Sequence, residues 1–467
     1  MSAMVLSIMD RQVLTLLVEP IKCDLELSDT QFSLLLGPAF VVFYLLFGLP
    51  FGWATDHFRR GWIIAFGITV WSLATMSCGL AGSFVALIAA RALVGAGEAS
   101  LMPASMSMLS DTFSRERMPF VTGVLSVAMH IGGAGAMLLG ALVLAMVGAQ
   151  GLSLGALGSF AGWQMTFFLV GAPGLILALA FLFSREPRRG GFASVETAPR
   201  SDLNMESKSG DEGILRNLIP FLLRNRVSVG VHLTSAALLT IGTYAFVSWS
   251  PAYLMRVQEF SSDQAARALG LIMISCGPVG TLAGGWITSR LQADTGREDA
   301  AWLVMAGSGM GSALFGAIAF SSDSNPVLMA AALAMAILFG SGYLGVIHAG
   351  LQAITPPELR GRMAALMLLA MTGVGASLGP VLVALLTDHA FGNALRVGDS
   401  IAIVSVSSGV LAGVLLLFNR ASFSASYRDV DAAGCPSIPN PTSLNQTSLN
   451  PTLRSSDKDA EGRSRYE

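Results

Sequence analysis

Charge-poor apolar stretches of roughly 18 residues or more recur along the whole chain, separated by short polar breaks. About 20 residues of helix cross the ~30 Å hydrocarbon core of a bilayer, so each stretch is a spanning candidate. The bulk composition agrees, with 53% hydrophobic and only 12% charged residues among 467. An ordinary soluble domain carries about a quarter charged residues. Mean hydropathy is +0.63. The net charge of -2 gives no reason to expect a nucleic-acid partner. Cys23, Cys78, Cys276 and Cys435 lack C-x-x-C spacing, which argues against a metal site or a disulfide framework. No cofactor is implied.

The apolar runs predict helices near 1–18, 31–55, 62–81, 84–109, 118–147 and 165–184, then near 228–253, 264–289, 300–320, 326–352, 361–388 and 398–419. The expected organisation is a six-helix bundle over 1–184, a polar linker over 185–226 with a short interfacial helix at 213–223, and a second six-helix bundle over 227–420. A disordered tail is expected over 421–467, where NPTSLNQTSLNPT is a near-repeat with few large apolar residues. The first apolar segment carries Asp10 and Arg11 and no small-residue cleavage site, so it reads as a retained helix rather than a signal peptide. Its start at the initiator methionine points to a start upstream of Met1.

Positive charge sets the expected orientation. Of the 28 Lys and Arg, only Lys22, Arg256, Arg267 and Arg396 fall on one side, and Arg11 and Arg91 lie inside helices. The rest occupy the linker, the tail and the loops at 56–61, 110–117, 290–299 and 358–362. By the positive-inside rule both termini are cytoplasmic.

The halves repeat. Gly52-Trp53-Ala54-Thr55 ends helix 2 and Gly285-Trp286-Ile287-Thr288 ends helix 8. Gly95-Ala96-Gly97 in helix 4 precedes Arg117-Met118 by the same interval that separates Gly340-Ser341-Gly342 in helix 10 from Arg362-Met363, with Arg115 and Arg360 in register. Duplicated bundles of this kind are a transporter architecture.

GWATDHFRR (52–60) resembles the loop 2–3 signature of the major facilitator superfamily, and RALVGAGEA (91–99) resembles its helix 4 signature. GWQMTFFLVGAPG followed by SREPRR, within 162–189, resembles the family's helix 6 exit, and the likeness covers roughly residues 5–420. DRQVLTLLVEPIKCDLELSDTQ (10–31), GEASLMPA (97–104) and TYAFVSWSPAYLMR (243–256) most resemble the bacterial Spinster branch. The resemblance implies an all-α integral membrane fold of twelve helices in two pseudo-symmetric bundles, in a bacterial inner membrane. It further implies a cavity that opens to alternate sides and, by analogy with animal Spinster members, a lysolipid or sphingoid substrate. A small amphipathic substrate, protons and membrane lipid are the expected partners of a monomer.

A charge at membrane depth costs at least ~2.5 kcal/mol on insertion scales, so each one retained is a functional hypothesis. Asp10, Arg11, Arg91 and Glu98 are such charges. Asp10 and Arg91 fall at similar depth below one membrane boundary, and Glu98 lies two turns from Arg91 on the same face, roughly 10 Å deeper. That geometry predicts a proton-coupling set of Asp10, Arg91 and Glu98, because a carboxyl that alternates between an arginine partner and a desolvated state can load and release a proton. The alternative is a fixed structural Asp10–Arg91 pair with Glu98 hydrogen-bonded across the bundle. Arg11, turned about 100° from Asp10, is expected to face other partners, in a gate or a structural role.

Asp56 and Arg59 match family positions that lock the cytoplasmic side, with Asp111 as partner acid. His57 stands where the family pattern has Arg or Lys. Phe43, Tyr44, Tyr244, Trp249, Tyr343 and His348 are candidates for the cavity wall, while His130, His232 and the glycines of helices 5 and 11 read as packing residues. GLSLG (151–155) and GSGYLG (340–345) match a nucleophile elbow and a dinucleotide fingerprint, but neither has strand-to-helix context. No H-E-x-x-H, P-loop or Cys cluster appears, which argues against an intramembrane protease and an ATP-driven pump, and no catalytic residue is expected. Two other readings stand beside a lipid carrier: a carrier of small organic anions such as sugar acids, with Arg91 binding the carboxylate, and a transporter-shaped sensor.

Overall fold

The computed structural model describes residues 1–114, 117–147, 152–153, 159–184, 186–187, 189, 218–321 and 325–434. Arg115, most of GLSLG, the linker over 190–217 and the tail over 435–467, Cys435 included, lie outside the described residues.

Eleven helices among the described residues are long and apolar enough to cross a membrane. They are α2 (Asp29–His57), α3 (Arg60–Cys78), α4 (Phe84–Thr112), α5 (Val124–Met146, within a helix from Met118 to Val147), α6 (Gly162–Leu182), α7 (Arg226–Arg256), α8 (Ser262–Thr295), α9 (Ala300–Phe320), α10 (Pro326–Ala353), α11 (Arg360–Phe391) and α12 (Ala394–Phe418). Before them runs α1 (Ser2–Leu16), shorter and carrying Asp10 and Arg11, with Val13, Leu14 and Leu16 fully buried. The twelve-helix architecture expected from the sequence is the one observed.

The breaks have local causes. α1 stops at Leu17 because Pro20 offers no N–H to the Leu16 carbonyl, and a short helix, Val18–Leu25, follows. Ser28 and Gln31 form a reciprocal capping box that starts α2 at Asp29. α4 breaks at Ala99–Ser100, where Pro103 removes the bond to the Ala99 carbonyl. α10 breaks at the corresponding place in the second half, through a 3-10 turn at Tyr343–Gly345. Both breaks follow the repeated glycine pairs.

Those glycines set helix spacing. A Cβ on Gly95 would stand 2.2 Å from the Phe40 carbonyl oxygen of α2, and one on Gly97 would meet the Gly67 oxygen of α3 at 2.9 Å. In the second bundle, Gly409 of α12 sits against the Gly309 carbonyl of α9 at 2.6 Å from a Cβ position. Small residues allow such approach where lipid supplies no hydrophobic drive between helices. Across the two bundles, α5 packs on α8, where His130 lies against Gly277, and α2 packs on α11, where Gly37 meets the Ser377 carbonyl.

Between α5 and α6, Leu152–Ser153 and Ser159–Phe160 pair as a minimal antiparallel hairpin. The described part of the linker is helical over 218–224, overlapping the expected interfacial helix. The tail departs from expectation: instead of disorder from 421, a helix α13 (Arg420–Gly434) follows α12. Phe423 is buried against Trp302 with ring centroids 5.0 Å apart, Ser426 bonds Asn225 at 2.7 Å, and Arg420 holds Asp299 at 2.6 Å.

Candidate functional site

The four intramembrane charges gather where α1 meets α4. Asp10, Arg91 and Glu98 are at most 2% exposed. The Arg91 terminal nitrogen is 3.9 Å from Asp10 Oδ1, and the other Asp10 oxygen accepts the Thr75 hydroxyl of α3. Glu98 Oε2 accepts two hydrogen bonds, from Ser7 Oγ at 2.6 Å and from Arg11 Nε at 2.7 Å, and forms an ion pair with an Arg11 terminal nitrogen 2.6 Å away. The set is therefore two ion pairs side by side. It is not a single line of Asp10, Arg91 and Glu98.

Arg11, expected to face other partners than Asp10 in a gate or a structural role, pairs with Glu98 while Asp10 faces Arg91, and so joins the charge cluster, because a long guanidinium side chain reaches α4 even from a neighbouring direction on α1. Ser7 and Arg11 are four residues apart and share a helix face, a spacing that lets both reach Glu98. The Phe40 ring receives both arginines, Arg11 at 4.3 Å and Arg91 at 5.5 Å, and Tyr44 adds a second contact to Arg11 at 5.0 Å.

Each pair leaves polar atoms unspent. Asp10 Oδ1, Glu98 Oε1, Arg91 Nε, the Arg91 NH1 nitrogen and Gln12 Oε1 are buried without a hydrogen-bond partner. A buried polar atom in that condition costs about 1–3 kcal/mol. The adjoining cavity lies between the bundles. Arg11, Gln12, Thr15 and Arg91 face Tyr244, Ser248 and Thr372 of the second bundle across it, with Leu36, Phe40 and Val41 completing the wall.

The six proposed wall residues divide. Tyr244 lines the cavity and Tyr44 stands beside it on Arg11. Trp249 is fully buried with its indole donating to the Pro380 carbonyl at 3.0 Å, and Tyr343 is buried near Thr240, so both belong to packing of the second bundle. Phe43 and His348 are exposed and do not line this cavity. Sequence reading missed Ser7, Gln12, Thr15, Phe40, Thr75, Ser248 and Thr372, since single hydroxyls and amides, and one more aromatic in an apolar helix, carry little signal without their partners.

The loop signature is also rearranged. Arg60, rather than the expected Arg59, holds Asp111, and it reaches Ser107 and Glu186 as well. Arg60 is 1% exposed, whereas Arg59 is half exposed, 3.4 Å from Glu186 and stacked near Trp62. The Asp56 side chain is exposed; its carbonyl, with those of Thr55 and Phe58, accepts Arg189, a cation at the C-terminus of α2. His57 stacks on Trp53, centroids 4.3 Å apart. Burial works to raise the Glu186 carboxyl, but hydrogen bonds and charge from Arg60 outweigh it and hold that carboxyl below the usual range.

Comparison with known proteins places this geometry in context. Residues 1–321 match the model of the Major Facilitator Superfamily. A bacterial homolog to the human lysosomal transporter Spinster, solved inward-facing and unoccupied, matches with a TM-score of 0.73 and 26% identity, covering 92% of this chain and 96% of that one. An MFS-type efflux pump of Mycolicibacterium smegmatis is 28% identical over 385 residues, 82% of each chain. A probable galactarate/D-glucarate transporter of Bacillus subtilis is 30% identical over 308 residues, 60% of this chain and 61% of that protein.

Proposed function

The chain belongs to the major facilitator superfamily, whose members are membrane transporters and not enzymes, and we propose that this one is a proton-coupled secondary carrier of an amphipathic, lipid-like substrate. The observation that carries the coupling is the pair of buried acids beside the cavity. Each keeps one carboxylate oxygen without a hydrogen bond, Asp10 Oδ1 and Glu98 Oε1, and each is held by one arginine. A proton arriving at the free oxygen neutralises the acid and releases the arginine; loss of the proton restores the pair. Such a switch ties protonation to the spacing of α1 and α4, and so to the shape of the cavity between the bundles.

The lipid-like substrate is supported by the likeness to a sphingosine-1-phosphate transporter of Danio rerio, 27% identical over 331 residues, 67% of this chain and 59% of that protein. Positive charge in the loops and linker orients the linker end toward the cytoplasm of a bacterial inner membrane. On that orientation, the likeness to an inward-facing structure agrees with the ion pairs that join the bundles at the end opposite the linker.

A second reading, a carrier of small organic anions, is favoured by the polar lining of the cavity around Arg11 and Arg91 and by the likeness to a sugar-acid transporter. Flux into proteoliposomes under an imposed pH gradient, with lysolipids and sugar acids as separate substrates, tests both. Gradient-driven lysolipid movement is the expected outcome. Accumulation of sugar acids alone would favour the second reading, and transport indifferent to the pH gradient would remove the coupling.

A further inference from the structure

At the end opposite the linker, one arginine ties the bundles together. Arg256, the last residue of α7, donates from Nε to Glu19 Oε1 at 2.7 Å and from its two terminal nitrogens to the two carboxylate oxygens of Asp29, each at 2.7 Å. Glu19 lies in the short helix after α1, and Asp29 opens α2, so all three bonds cross from the second bundle to the first. The Arg256 and Asp29 side chains are 6% and 1% exposed. Beside them, Asp388 near the end of α11 accepts the Thr30 backbone N–H and hydroxyl, both at 2.7 Å. Asp29 has a second cation, Lys22, and that pair lies within the first bundle.

We propose that Arg256 is the latch of this gate and that Lys22 is the cation that keeps Asp29 compensated when the latch lets go. A carrier that alternates access must separate its bundles here, so the idea rests on membership of a transporter family and not on substrate or coupling ion. A fork of planar nitrogens on a desolvated carboxylate is the strong form of a charge-assisted bond, and it carries geometry as well as attraction. Breaking such a contact is costly chiefly because it strands a buried charge. Lys22 removes that penalty on the Asp29 side, since it travels with α2 when the bundles part. Arg256, at a helix end, passes into water. The two cations touching Asp29 therefore act in opposite directions: Arg256 favours the closed far end, and Lys22 lowers the cost of opening it.

Spin-label distances in the purified full chain in nanodiscs test this without substrate or gradient. Labels at Leu80, after α3, and Ser321, after α9, sit on exposed far-end loops of different bundles, on a background whose native cysteines are replaced. Arg256→Gln should populate longer distances, and Arg256→Lys, which keeps charge and loses the fork, should fall between it and the parent. Lys22→Gln alone, with the latch intact, should reduce the long-distance population, because opening then leaves Asp29 without a cation. Unchanged distances in Arg256→Gln would overturn the latch. A lengthening in Lys22→Gln alone would overturn the role of Lys22 and make it a second clamp. Arg256→Lys supplies the reading should Arg256→Gln fail to yield a monodisperse protein, and a distribution identical to the parent's would then count against the latch.

Discussion

Arg11 meets Glu98 at a single carboxylate oxygen, Oε2, through an Nε hydrogen bond of 2.7 Å and a terminal nitrogen 2.6 Å away; that oxygen also takes the Ser7 hydroxyl, while Oε1 has no hydrogen bond. All the partners crowd one oxygen and the other stays open to a proton. Glu98→Gln keeps the size of the side chain and fixes the neutral form. The expected result in proteoliposomes is loss of gradient-driven accumulation and of the pH dependence of transport, with equilibrium exchange partly retained. Accumulation at the parent rate would make the pair a fixed structural one.

Asp10 differs from Glu98 in its looser arginine. At 3.9 Å, Arg91 is within ion-pair range but beyond a hydrogen bond, and Thr75 supplies the close contact. Asp10→Asn should also abolish accumulation, and it leaves Arg91 buried without a counter-charge. The stability cost should fall below the ~3–5 kcal/mol typical of breaking a close buried pair. A lowered melting temperature, reversed in part by Arg91→Gln in the same chain, is the expected observation; no reversal would show that Arg91 has other compensation.

At the exit of α6, Glu186 offers a pH test outside the membrane. Its folded carboxyl lies below the ordinary value of 4.5, after the bonds from Arg60 outweigh the effect of burial. A depressed carboxyl stabilises the fold fully above the ordinary range and loses that contribution as pH falls through the lowered value. Glu186→Gln should therefore lower the melting temperature at pH 6 to 7, and the gap from the parent should close only below about pH 4. A gap that closes already between pH 7 and 5 would assign the effect to another group.

How much of this the residues disclose in advance depends on what enforces it. The spans are legible because the bilayer dictates their length, and Asp10, Arg11, Arg91 and Glu98 stand out because apolar helices rarely carry charge. Their pairing is not legible. It depends on how α1 is rotated against α4, and a change of 100° separates Asp10 from Arg11. The same step separates Arg59 from Arg60: family likeness points to the first, and the opening turn of α3 buries the second against Asp111. α13 is hidden by a Ser- and Arg-rich composition, since the residue that anchors it, Phe423, is one of two aromatics, with Tyr427, among small and polar neighbours. The Asp29–Arg256 contact joins residues in different bundles, and no local pattern predicts it.

The repeated glycines divide by environment, and the division predicts function. Gly95 and Gly97 are clasped by neighbouring backbone, so a side chain there must distort α2 or α3. Gly52 has nothing within 4 Å of a Cβ position, and the nearest atom to one on its counterpart Gly285 is 3.9 Å away. Packing in this conformation does not require glycine at either position. Both lie toward the linker-end termini of α2 and α8, the part of each helix that must close when access alternates. Gly52→Val should then leave the melting temperature of this state within the ordinary surface range, about 0.5 kcal/mol, while slowing transport by obstructing closure. Gly95→Val should instead destabilise the fold by about 1–3 kcal/mol or more through overpacking against the Phe40 carbonyl. Thermal unfolding and flux measured on both variants separate the two effects: a Gly52→Val protein that transports at the parent rate would show that closure brings nothing against Gly52.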